Sequence, residues 1–142
     1  MPYEKRGEET RCIEDEIPFD IPDSWTWCRL GEIANWGAGA TPSRNNPEYY
    51  KDGTILWAKT GDLNDAIVYE IPEYITVKAV QETSVKLNPV GAVLIAMYGA
   101  TIGKLGILGV KATTNQACCA GIVFAGIFNK YLFYYLMSQR DA

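Results

Sequence analysis

The sequence predicts an α+β domain: a curved, mixed or largely antiparallel sheet with two short helices and long polar loops. Two observations lead there. Apolar residues fall in many short runs, punctuated by 13 glycines and 7 prolines, which is the texture of strands and turns rather than of a helical bundle. Only two stretches, one starting after Thr76 and one at Asn129, carry helical patterning, and strand-like runs fill the rest.

Each element follows from local chemistry. Residues 1–16 are charged and without periodicity, and read as a polar tail or linker. The domain is then 17–142, opening on an extended stretch held by Pro18 and Pro22. Trp25-Thr26-Trp27-Cys28-Arg29-Leu30 alternates and reads as a strand. One helical turn is expected over 30–34, then a strand or bulge over 36–40 and a long polar loop over 41–53. Asp52-Gly53 turns the chain into a buried strand at Ile55-Leu56-Trp57, and 61–65 is another turn. Thr76 caps a helix running to about Leu87, with Val77, Val80 and Val85 apolar, until Asn88-Pro89 stops it. Strands follow at 92–98, 104–108 and 117–124. Asn129 caps a last helix through Tyr131, Leu132, Tyr135 and Leu136. That helix meets no Gly or Pro before Ala142, so it is expected to run on into a longer protein. No internal repeat is visible.

Bulk properties narrow the function. A chain of 142 residues that is 48% hydrophobic suffices for one domain with its own core. No apolar run approaches the ~20 residues that span a bilayer, and no basic-then-apolar leader opens the chain, so the expected compartment is the cytoplasm and no membrane is involved. With no histidine, Ser-His-Asp and Cys-His machinery is excluded. Cys12, Cys28, Cys118 and Cys119 form no C-x-x-C pair and are expected to be buried, reduced thiols rather than metal ligands. The net charge of −4 is unevenly spread. Residues 1–16 hold six acids against three cations. Residues 83–140 hold no acid but five cations: Lys86, Lys104, Lys111, Lys130 and Arg140. A positive face is therefore compatible with an acidic chain.

Four blocks stand in order along the chain, each a strand-like run joined to a turn of small, hydroxyl or amide residues. They are Gly37-Ala38-Gly39-Ala40-Thr41-Pro42-Ser43-Arg44, Ile55-Leu56-Trp57-Ala58-Lys59-Thr60-Gly61-Asp62-Leu63, the run 93–104 ending Tyr98-Gly99-Ala100-Thr101-Ile102-Gly103-Lys104, and Thr114-Asn115-Gln116-Ala117-Cys118-Cys119. The run 99–104 is no Walker A loop: three residues, not four, separate its glycines, and Leu105 follows the lysine. Gly37-x-Gly39 lacks the third glycine of a dinucleotide fingerprint. No Asn-Pro-Pro-Tyr, the amino-methyltransferase motif, is present.

Together with Ile21-Pro22-Asp23-Ser24-Trp25-Thr26-Trp27-Cys28-Arg29-Leu30, the four blocks resemble the target recognition domain of the specificity subunit of type I restriction-modification enzymes, over about 17–140. The resemblance implies the fold of a DNA methylase specificity domain. It also implies a non-catalytic role: sequence-specific recognition of one half of a split target in double-stranded DNA, directing methylation and restriction subunits. A full specificity subunit of that family carries two such domains and long spacer helices. S-adenosylmethionine, ATP and Mg are then expected on the partner subunits and none in this chain.

The candidate contacts lie in the turns. Arg44, Asn45 and Asn46 are the residue types that read base edges, Arg on guanine and Asn on adenine, although an Asx-type turn explains the same residues. Lys59 and Thr60 form a second loop. Tyr98 and Lys104 flank glycines that let a partner approach the backbone, with Lys104 suited to a phosphate; a tight hairpin needing glycine explains the same loop. Asn115 and Gln116 either face DNA or brace a buried network. Trp25, Trp27, Trp36 and Trp57 read as core, and Tyr49-Tyr50 as either core or contact. The rival reading, suggested by the net charge, is a protein-interaction module that docks a partner subunit without touching DNA. Salt-dependent duplex binding separates the two.

Overall fold

A computed structural model describes residues 2–140. Its centre is the run 92–96, which is apolar throughout because both of its faces are covered. Strand β7 (Val93–Ala96) sends Val93 and Ile95 to one side, against Leu105, Ile107, Leu132 and Phe133. It sends Leu94 and Ala96 to the other, against Ala58, Leu63, Val68 and Leu108. Around it a five-stranded sheet is ordered β3-β10-β7-β8-β5, with β3 at Ala34–Ala38, β5 at Ala66–Val68, β8 at Leu105–Leu108 and β10 at Cys118–Val123. All pairings in it are antiparallel except β5 with β8. A second sheet, β6-β4-β9, joins Tyr74–Ile75, Ile55–Ala58 and Thr113–Thr114, with β4 and β9 parallel.

The layers follow from these faces. Helix α3 (Asn129–Gln139) lays Leu132 and Phe133 on one face of the five-stranded sheet. The second sheet contributes Ala58 to the other face. Helix α2 (Val77–Glu82) closes a third cluster, in which Ala79 and Val85 pack on Trp57 and Ile75. Gly39 lets the sheets meet: a Cβ there would lie 1.9 Å from the Thr114 carbonyl oxygen, and the neighbouring Ala40 N–H donates to that same oxygen at 3.0 Å.

The expected α+β class and largely antiparallel pairing are present, with several local corrections. Residues 3–12, read as a tail, form a hairpin of β1 (Tyr3–Arg6) and β2 (Glu9–Cys12). Its Glu4 carboxylate accepts from Arg6, Arg11 and Arg29, and Arg29 holds that carboxyl down to about 2. Residues 25–29 are not a strand, because no neighbouring strand among the described residues takes up their backbone groups; α1 (Leu30–Ile33) follows directly. Trp25 is accordingly 53% exposed, whereas Trp57 is buried. Thr76 does cap α2, accepting the Ala79 N–H at 3.2 Å, but Thr83 turns extended and ends the helix at Glu82 rather than Leu87. Asn129 does not cap α3: Phe128 holds the cap position and the Asn129 side chain donates to the Gly91 carbonyl. The expected run of this helix to Ala142 lies outside the described residues. Cys118 is buried, which pushes its thiol up to about 12, and Cys119 is half-buried, but Cys12 and Cys28 are exposed.

Candidate nucleic-acid interface

The register of the sheets gathers the polar turns. Cys118, at the start of β10, pairs with Ala96 at the end of β7, and Cys119 pairs with Ala38 at the end of β3. Ile95 pairs with Leu105 at the start of β8, and Gly106 with Ala66 at the start of β5. Ala58 and Thr114, at the ends of β4 and β9, pair with each other, while the Ala40 and Asn115 N–H groups donate to the Thr114 and Ala58 carbonyls. The loops 39–54, 59–65, 97–104 and 115–117 therefore all leave one end of the two sheets.

Two ion clusters occupy that end. In the first, Arg44 stacks on Tyr50 and Trp57, its Cζ 4.8 Å from each ring centroid. One guanidinium nitrogen lies 3.6 Å from Glu73, whose carboxylate accepts a close hydrogen bond from Lys59. The Lys59 Nζ lies 5.6 Å from the Trp57 ring centroid. Trp57 is locked beneath them by its Nε1–H, which donates to the Ala40 carbonyl at 3.1 Å. The lysine, aided by Arg44, holds the Glu73 carboxyl below its usual range against the opposing effect of burial. Burial pushes the Tyr50 hydroxyl up, and that hydroxyl donates to the Pro42 carbonyl.

The second cluster is Asp65 with Lys104 at 3.5 Å and Arg140 at 2.6 Å. Burial pushes the Asp65 carboxyl up, but the Leu105 N–H and Arg140 outweigh it and leave the group below its usual value. The turn 99–104 needs its glycines, since Gly99 and Gly103 have φ of +92° and +84°. Each cluster sets two cations against one carboxylate, so each keeps a net +1. Loop 59–65 joins the two clusters.

The remaining candidates divide. Asn46 caps a 3-10 turn at Pro47–Tyr49, its Oδ1 accepting the Glu48 N–H at 3.0 Å, so the local-turn explanation applies to it. Asn45 is exposed and makes no hydrogen bond among the described residues. Thr60 begins a 3-10 turn, Thr60–Asp62, in which the Lys59 N–H donates to Asp62. Tyr98 is 51% exposed where β7 leads into its turn. Gln116 is exposed, and its Oε1 accepts from the Thr41 hydroxyl, bridging two loops. Asn115 keeps a buried Oδ1 with no hydrogen-bond partner among the described residues. Of the five cations in 83–140, Lys104 and Arg140 reach this end. Lys111 lies in the turn joining β8 to β9, at the opposite end, and Lys130 lies beside Asn129, whose side chain bonds Gly91 at that opposite end. Glu73 and Asp65 were not legible as site residues. Each lies outside any motif that marks a site, and its cationic partners are 14 or more residues away in the chain.

Comparison with known proteins places the chain in a family. The family described as type I restriction modification DNA specificity domain matches residues 22–142. The EcoR124I/EcoR124II specificity subunit of Escherichia coli is 34% identical over 116 residues, covering 80% of this chain and 29% of that protein. The MjaIX specificity subunit of Methanocaldococcus jannaschii is 34% identical over 129 residues, covering 89% of this chain and 29% of that protein. The chain thus spans less than a third of the length of these relatives. In fold it is similar to the HsdS subunit of Thermoanaerobacter tengcongensis, with a TM-score of 0.69 at 20% identity, covering 87% of this chain and 30% of that one. The chain belongs to the family of type I restriction modification DNA specificity domains.

Proposed function

We propose that this domain recognises one half of a split target in double-stranded DNA and acts without catalysis of its own, as part of a type I restriction-modification specificity subunit. The observation that carries the reading is the convergence of four polar loops on one end of the sheets, with a stacked arginine between them. Arg44 keeps most of its guanidinium donors available for a guanine edge, which calls for two parallel N–H donors. Lys104 suits a backbone phosphate, and Lys59, held by Glu73, flanks Arg44. Asn45, Tyr98, Thr60, Asn115 and Gln116 belong to the same four loops. Methylation and restriction subunits are the proposed partners, in the cytoplasm, with S-adenosylmethionine, ATP and Mg residing on them. No described helix is long and apolar enough to cross a membrane.

The test is selection of duplexes from a random library by this chain, followed by salt titration of selected and unselected pools. Arg44→Ala is expected to cost about 1–3 kcal/mol on the selected pool and less on the unselected one, as for a base contact. Lys104→Ala is expected to weaken binding to every sequence and to flatten the salt slope by about one, as for a phosphate contact. If neither substitution changes any affinity, these loops are not the interface. If the parent chain shows no salt-dependent duplex binding, the protein-docking alternative stands instead.

A further inference from the structure

Glu73 lies in none of the four motif blocks, yet it is the acid on which Arg44 and Lys59 converge. Its two contacts differ. Lys59 donates a close hydrogen bond, whereas Arg44 sits at 3.6 Å, beyond hydrogen-bond length, and is held in place by the Tyr50 and Trp57 rings. Removing the carboxylate therefore leaves Arg44 still positioned by stacking but removes the counter-charge of both cations. The Glu73 side chain is 38% exposed, so an approaching phosphate would feel its charge.

We propose that Glu73 is a specificity-determining residue that penalises binding through phosphates alone. The inference rests on the DNA-recognition reading above. A duplex bound only through its backbone would bring phosphates to Arg44 and Lys59 together, against the Glu73 charge. A duplex offering a base edge to Arg44 leaves the Lys59–Glu73 pair intact and escapes most of that repulsion. The carboxylate thus discriminates by what it repels as well as by what it holds.

Salt titrations of this chain with a fully randomised duplex pool and with a pool enriched by selection test the proposal. Glu73→Gln and Glu73→Ala are both expected to tighten binding to the randomised pool about five-fold at 0.15 M salt and to steepen its salt slope by about 0.9, the increment of one further phosphate contact. The enriched pool is expected to gain less, so discrimination falls. Glu73→Asp, which keeps the charge, is expected to behave like the parent. Unchanged affinity and slope, weaker binding, or equal tightening of both pools overturns the inference. A parent chain that discriminates between pools beside silent Glu73 variants overturns this inference alone. A parent chain that binds neither pool removes the DNA-recognition reading and this inference with it.

Discussion

The two ion clusters at the loop end have the same composition, two cations around one carboxylate, but they are anchored differently. Arg44 lies on Tyr50 and Trp57, and Trp57 is a central side chain of the third core cluster. Lys104 and Arg140 are gathered by Asp65, which is fixed by the Leu105 N–H and by its own left-handed backbone, with φ of 59°. The first cluster therefore inherits its geometry from core packing, and the second from turn backbone and from the last turn of α3. Core packing is hard to deform by small amounts, so the stacked arginine is the better preorganised of the two. The turn-anchored cations are held by a carboxylate that titrates, whereas Arg44 keeps its two rings when Glu73 is protonated.

The comparison breaks most severely at Trp57. Trp57→Ala is expected to lower unfolding free energy by about 3–5 kcal/mol and to release Arg44 from one of its two rings, measured by urea unfolding followed by circular dichroism. A loss under about 1 kcal/mol would mean that the ring is not the anchor described here.

Next in size is Asp65→Ala, which removes a charged acceptor from a backbone N–H and puts alanine at positive φ. A cost of about 1–3 kcal/mol is expected, with discrimination by Arg44 preserved because the first cluster does not rest on Asp65. Equal loss of both properties would show that the clusters are coupled.

Acid sharpens the contrast further. Asp65 and Glu73 both titrate below their ordinary values of 3.8 and 4.5. Depressed folded-state values mean that the stability they contribute is fully present above those values and is lost as pH falls through the lower, folded ones. Unfolding measured from pH 6 down to pH 2 should show parental stability declining below about pH 4.5, and Asp65→Asn should have a shallower acid limb than the parent. An unchanged limb would mean that the Asp65 pairing is not formed in solution.

The smallest expected effect is Asn45→Ala, a change within about 0.5 kcal/mol of unfolding free energy, since Asn45 makes no hydrogen bond among the described residues. If it nonetheless weakens binding to a selected duplex, the residue works only in the complex.

Much of this molecule was legible in its chain because the cause was local. The strands near 92–98, 104–108 and 117–124 announced themselves as continuous apolar runs, since a sheet covered on both faces needs no polar alternation. Thr76 showed itself as a cap three residues before the N–H it accepts, and the ordered blocks with their glycines marked the loops that carry Arg44, Lys59 and Lys104. The alternation over 25–30 does not make a strand because a strand also needs a neighbour, and none among the described residues lies beside it. The hairpin at 3–12 has no local signature because its side chains are mostly exposed and show no alternation, while Glu4 meets Arg29 across 25 residues.

Tertiary structure alone decided which charges meet. Thr41 bridges to Gln116 across 75 residues and Asp65 reaches Arg140 across the same span, and no local pattern encodes such distances. Local propensity and burial act within a few residues and are written in the order of side chains. An electrostatic site is set by distances of a few ångströms between groups far apart in the chain, and those distances exist only once the two sheets and α3 have packed.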